Sequence, residues 1–182
     1  MIARLFSMGL YGLEAFTVEL EADLAKGVPC FDIVGLPGTA VKESRERVRS
    51  ALKNCGFPYP TGRITMNLAP ADKKKDGPLY DLPLLMALLK ATGQLQAETD
   101  DSVFIGELSL SGEIRPVLGA LPMAIAARKA GFRRLFVPAA NAKEAAVVEG
   151  IEIYPVSGVR ELVDFLRGRG QLPTATFSPT QG

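Results

Sequence analysis

Asp76-Gly77-Pro78-Leu79-Tyr80-Asp81-Leu82-Pro83 reads as a turn that opens into an apolar helix. Asp76-Gly77 has the chemistry of a tight turn, because glycine takes positive φ without steric cost and aspartate bonds nearby backbone. Asp81 is placed to cap the helix, with Pro83 in its first turn. Leu84, Leu85, Leu88 and Leu89 supply its buried contacts before Gly93 ends it.

Upstream, residues 63–68 read as a strand, and residues 39–54 as an amphipathic helix with Val41, Val48, Leu52 and Cys55 on one side. A short apolar strand at 31–34 is stopped by Gly35-Leu36-Pro37-Gly38. Residues 2–8 and 16–24 read as strands, the second alternating Phe16, Val18 and Leu20 against Thr17, Glu19 and Glu21, with Gly9-Leu10-Tyr11-Gly12 as the turn between them. Downstream, 103–105 and 113–117 read as strands joined by a Gly- and Ser-containing turn. A helix at 121–130 follows, opened by Pro122 and closed by Gly131. A strand at 135–137, a helix near 141–149, a strand at 151–155 and a helix at 159–167 complete an alternating half. The fold class is α/β (α+β). From Gly168 onward Gly, Pro, Ser and Thr dominate, so residues 169–182 are expected to form a flexible tail or linker.

The chain has 182 residues, suited to one domain plus a tail. Its 21 Lys and Arg against 20 Asp and Glu leave a formal charge of +1, so any basic surface must be local. It contains no histidine, which removes the commonest general base, the commonest transition-metal ligand and every Ser-His or Cys-His nucleophile arrangement. Cys30 and Cys55 form neither a disulfide framework nor a metal motif and fit a reducing cytosol. The first eleven residues do not resemble a secretory signal, and no apolar run is long enough to span a membrane.

Five groupings carry possible chemistry. Gly35 to Ser44 contains glycines, a lysine and a serine, but a phosphate loop needs Gly-Lys-Ser/Thr adjacent, and Lys42 lies four residues after Gly38. The stretch is read as a strand-to-helix turn. Lys42, Arg45, Arg49 and Lys53 line one stripe of the helix at 39–54, either as a solvated face or as a track for a phosphate backbone. The i,i+4 pairs Glu43–Arg47 and Lys42–Glu46 would partly neutralise it, and Lys73-Lys74-Lys75 is equally well explained as an exposed loop. Asp72, Asp76 and Asp81 offer oxygen ligands, but three lysines intervene, so no metal is expected. Ser109 and Ser111 lie near acids. Without histidine, activation would require a desolvated lysine, and only Lys90 and Lys129 are at hand, so these serines are read as turn formers.

Phe31-Asp32-Ile33-Val34-Gly35-Leu36-Pro37, Ala40-Val41-Lys42-Glu43-Ser44-Arg45-Glu46-Arg47-Val48-Arg49, Asn67-Leu68-Ala69-Pro70-Ala71-Asp72 and Asp81-Leu82-Pro83 closely resemble the N-terminal domain of the YifB/ComM family, the Mg chelatase-like proteins. The resemblance covers residues 1–168. It implies a fold like the Lon proteolytic domain and ribosomal protein S5 domain 2, a left-handed βαβ-containing sandwich of mixed sheet and helices. The Lon dyad serine lies in a Lys-Asp-Gly-Pro-Ser context that Lys75-Asp76-Gly77-Pro78 matches, which places Leu79 at the serine. The dyad lysine follows Pro-Val, and the matching position after Pro116-Val117 is Leu121. Peptidase chemistry is therefore not carried over, and Asp76, Gly77, Pro78 and Asp81 are expected to be structural.

In that family the domain precedes an AAA+ ATPase module linked to hexameric DNA branch migration in natural transformation. The resemblance thus implies a non-catalytic accessory domain in the cytoplasm. Its partners would be the AAA+ module, further copies in a hexamer, and DNA, and no membrane partner is expected. No cofactor is expected in this chain, and ATP and Mg²⁺ are expected only in the downstream module. The competing readings are a residual Lon-like serine peptidase and a stand-alone nucleic-acid-binding module.

Overall fold

The structure, a computed structural model, describes residues 2–177. Strands β1 (Ile2–Tyr11) and β2 (Glu14–Ala25) form an antiparallel hairpin. Strand β3 (Cys30–Val34) leads into helix α1 (Thr39–Asn54), which returns to β4 (Arg63–Ala69), parallel to β3. A 3-10 turn, Pro78–Tyr80, runs directly into helix α2 (Asp81–Ala91). Then come β5 (Ser102–Phe104), β6 (Glu107–Leu108), β7 (Ile114–Arg115) and helix α3 (Ala120–Lys129). The chain continues through β8 (Arg134–Pro138), a 3-10 turn at Ala139–Asn141, the short helix α4 (Ala142–Ala145), β9 (Glu152–Val156) and α5 (Val159–Leu166).

These strands make a four-stranded sheet in the order β1-β2-β4-β3, a parallel sheet β5-β8-β9 and the small antiparallel pair β6-β7. Alternation sets the large sheet's two faces. Val18, Leu20 and Ala22 of β2 and Ile64, Met66 and Leu68 of β4 are buried, while Glu21, Asp23 and Arg63 point to water. Helix α2 packs against β1, β2 and α1 and is buried at ten of its eleven positions, as expected of a helix apolar all round. In the parallel sheet Phe104, Phe136 and Tyr154 hold matched registers on three strands, and their rings stack at 4.7 and 4.9 Å. The Ser7 hydroxyl of β1 donates to the Phe104 carbonyl at 2.7 Å, joining the two sheets.

Four local expectations change. The first hairpin turns at Gly12-Leu13, and Gly9 lies inside β1. A Cβ at Gly9 would come within 2.5 Å of the Phe16 ring and the Tyr80 hydroxyl, so glycine serves there for space. Residues 103–105 and 113–117 are not hairpin partners: β5 runs parallel to β8, and β7 pairs with β6, which the sequence presents as part of a turn. Two-residue strands are too short to show alternation. The helix expected near 141–149 contracts to α4, because the Asn141 side chain instead bonds both backbone groups of Val117 at 2.9 Å. The domain does not end at residue 168. Leu172 is buried, and the Ala175 N–H donates to the Ile153 carbonyl at 2.8 Å, so the segment returns to β9. The rest of the expected tail, 178–182, lies outside the described residues.

Candidate functional site

Gly77 adopts φ +86°, and Pro78 starts the 3-10 turn that delivers Leu79 inward. The Leu79 carbonyl accepts the Gly106 N–H at 2.9 Å, and the Gly106 carbonyl accepts the Leu82 N–H at 3.0 Å, which fixes the turn against the chain before β6. Leu79 lines a cleft of about 370 Å³ with Leu10, Gly77, Pro116 and Leu118, and among the described residues Asp76 is the only charged group in its lining. The structure thus brings the Asp76–Leu79 loop against the Pro116–Leu118 segment. Leu121 lies one step further on, at the second position of α3, and is outside that lining.

Asp76 also serves the neighbouring helix. Its carboxylate lies against Gly38, where a Cβ would come within 2.3 Å of Oδ1. It therefore sets a negative charge at the start of α1, whose first turn has no acidic residue of its own.

Asp81 does not cap α2. It is fully buried, and its carboxylate accepts from the Ser44 hydroxyl at 2.5 Å, Arg47 Nε at 2.6 Å and the Leu108 N–H at 3.0 Å. Arg47 Nη2 adds a bond to Oδ1 at 3.1 Å and one to the Ala40 carbonyl at 3.0 Å. This hydrogen bonding to Asp81 raises the pKa of the Arg47 guanidinium further. The cluster joins α1, α2 and β6.

Lys75 also departs from expectation. It is fully buried, while Lys73 and Lys74 are exposed. Its ammonium donates to the Gly35 carbonyl at 2.7 Å and to the Pro70 carbonyl. Its own N–H donates to Leu36 O at 3.0 Å, and its carbonyl accepts from Gly38 N–H at 2.8 Å. Lys75 therefore holds the β3–α1 connection to the Asp76 loop. Burial lowers its pKa, opposed by the nearby charge of Asp72. Neither Lys75 nor the partners of Asp81 carried a signal in the sequence beyond residue type.

The serines of the 106–112 segment are turn formers. Ser109 Oγ accepts the Glu113 N–H at 2.9 Å and lies 3.0 Å from Ser111 Oγ. Lys90 Nζ donates to Thr99 Oγ1 at 2.7 Å and to Arg4 O at 3.2 Å. No lysine is bonded to Ser109 among the described residues.

The cationic stripe survives on the surface of α1. Lys42, Arg49 and Lys53 are exposed and Arg45 is half-buried. Arg45 donates to Lys42 O at 2.9 Å and Phe31 O at 3.2 Å, and Arg49 lies 5.4 Å above the Tyr59 ring. Of the two expected neutralising pairs, Glu43–Arg47 forms at 3.8 Å, and no ion pair joins Lys42 to Glu46 among the described residues.

A Gly-Pro turn that meets a Pro-Val segment over mixed sheet and helices defines a Lon-like α/β domain. The family model described as subunit ChlI of Mg-chelatase matches residues 20–141, and the chain belongs to this Mg chelatase-like family. Competence protein ComM of Haemophilus influenzae is 42% identical over 176 residues, covering 96% of this chain and 34% of that protein. The uncharacterised protein YifB of Escherichia coli is 42% identical over 162 residues, covering 88% of this chain and 32% of that protein. Lon protease 1 of Hydrogenovibrio crunogenus is 26% identical over 157 residues, 80% of this chain and 19% of that protein, in keeping with the Lon-like fold. The chain spans about a third of the length of its ComM and YifB relatives. Among the described residues no helix is long and apolar enough to cross a membrane.

Proposed function

We propose that this chain is a non-catalytic N-terminal accessory domain of a Mg chelatase-like AAA+ ATPase, which couples the motor to DNA or to neighbouring subunits. The reading is supported by leucine at the two positions that the resemblance matches to the Lon dyad, Leu79 in the cleft lining and Leu121 outside it. Leu79 is buried there, and neither Leu79 nor Leu121 offers a nucleophilic oxygen or a titratable amine. In this reading ATP and Mg²⁺ bind in the downstream module, residues 169–182 lead towards it, and hexamer formation resides chiefly in that module. The competence name of the Haemophilus relative supports a role in handling DNA.

The α1 stripe is the surface through which this domain meets nucleic acid. Its support is a row of four cations that have no ion-pair partner among the described residues. The test is titration of labelled single-stranded, duplex and branched DNA over a range of salt. Reversing Lys42, Arg45, Arg49 and Lys53 to Glu is expected to abolish binding, with loss of up to about 3.6 from the duplex salt slope at roughly 0.9 per phosphate contact. Unchanged affinity would make the stripe ordinary surface. Labelling by a serine-reactive fluorophosphonate that is lost on Ser109→Ala would revive the peptidase reading.

A further inference from the structure

The C-terminal end of α1 presents an electrostatic problem to any anion that follows its stripe. A helix carries about half a negative charge at that end, so a phosphate backbone passing from Lys42 towards Lys53 would move into an opposing potential. The structure answers this with a residue from another element. Arg160, in the first turn of α5, donates through Nη1 to the Cys55 carbonyl at 2.9 Å, two residues beyond Lys53. Its guanidinium lies 5.4 Å above the Phe57 ring, which holds it in place.

Arg160 differs from the other arginine at this ring. Arg167 also lies over Phe57, at 5.6 Å, but both Nε and Nη2 are bound to Gln94 O. Arg160 has one donor engaged, is exposed, and makes no ion pair with Glu161 or Asp164 among the described residues. A full positive charge bonded to the terminal carbonyl outweighs the helix end and reverses its sign. Thirteen residues from Lys42 to Cys55 span about 20 Å of helix, the axial length of about six phosphates of one DNA strand.

We propose that Arg160 is the terminal phosphate contact of a five-cation track made by Lys42, Arg45, Arg49, Lys53 and Arg160. The inference rests on the nucleic-acid reading of α1 and extends that site onto α5. The ligand chemistry is a phosphodiester backbone contacted without base reading. Stacking of the Phe57 and Tyr59 rings under Arg160 and Arg49 holds two planar forks ready for phosphate oxygens.

The test uses the whole chain with single-stranded and duplex oligonucleotides of one length. Arg160→Gln is expected to reduce the salt slope by about 0.9 on duplex or about 0.7 on a single strand, and to weaken duplex binding about fivefold at 0.15 M salt. Arg160→Lys, which retains the charge, is expected to keep most of the slope. If the α1 charge reversal abolishes binding while Arg160→Gln leaves slope and affinity unchanged, this inference is overturned and the α1 reading stands. If neither change weakens binding, both fall. Should Arg160→Gln fail to fold, as judged by circular dichroism, arginine footprinting with a glyoxal reagent on the unsubstituted chain decides. DNA is then expected to protect Arg160 together with Arg49, and protection of Arg49 alone would overturn the proposal.

Discussion

A carboxylate with no solvent contact is costly to bury unless donors face it, and Asp81 has four, three from α1 and one from β6. Asp81→Ala leaves Arg47 and the Leu108 N–H without their partner. It is expected to destabilise the domain by about 3 kcal/mol, the low end for a broken buried pair because Arg47 is partly exposed, as read by urea unfolding. Lys75 gives a test in pH. Burial holds its folded pKa below the ordinary lysine value that returns on unfolding. Between those two values the unfolded chain binds more protons, so stability rises with pH across that alkaline window. The rise is expected to disappear in Lys75→Met when melts of the two proteins are compared across the same pH range. From sequence, Asp81 has the marks of a helix cap and Lys75 those of one lysine in a polar run. Arg47, which pairs with Asp81, and Gly35, which accepts from Lys75, lie 34 and 40 residues away, where local pattern carries no information.

At the scale of elements, α1 spans the residues its periodicity marks, because the apolar stripe, the glycine before it and the Lys53 end all agree. The turn that feeds it is a tighter constraint. Gly35 has φ +105°, and a Cβ there would lie 2.1 Å from the Leu68 carbonyl oxygen, a backbone atom of β4 that cannot swing aside. Gly35→Ala is expected to cost about 1–3 kcal/mol from backbone strain alone, with a further loss from displacing β4, measurable as a lowered denaturation midpoint. The β5–β7 region was least legible. Its strands have two or three residues, and their partners are set by how two sheets meet, so Gly106 to Gly112 reads as one long turn.

The whole molecule joins a half-exposed mixed sheet to a parallel sheet where β1 meets β5, and this division was visible as strands giving way to alternating strand and helix. The cleft was legible as a Gly-Pro loop and a Pro-Val segment, but their meeting depends on that long-range packing. The C-terminal segment was the larger miss at this scale, since Gly, Pro, Ser and Thr mark a linker while buried Leu172 and the Ala175–Ile153 bond hold it to β9. Leu172→Ala is expected to lower stability by about 2 kcal/mol without changing far-ultraviolet circular dichroism, as followed by thermal unfolding.

Helix α2, covered on every side, has a consequence for how this domain opens. Its amides cannot meet solvent by fraying of one face, because α1 and strands β1 and β2 enclose it. Deuterium should therefore enter α2 only through global opening events, and its slowest amides become an internal gauge of the domain's total free energy.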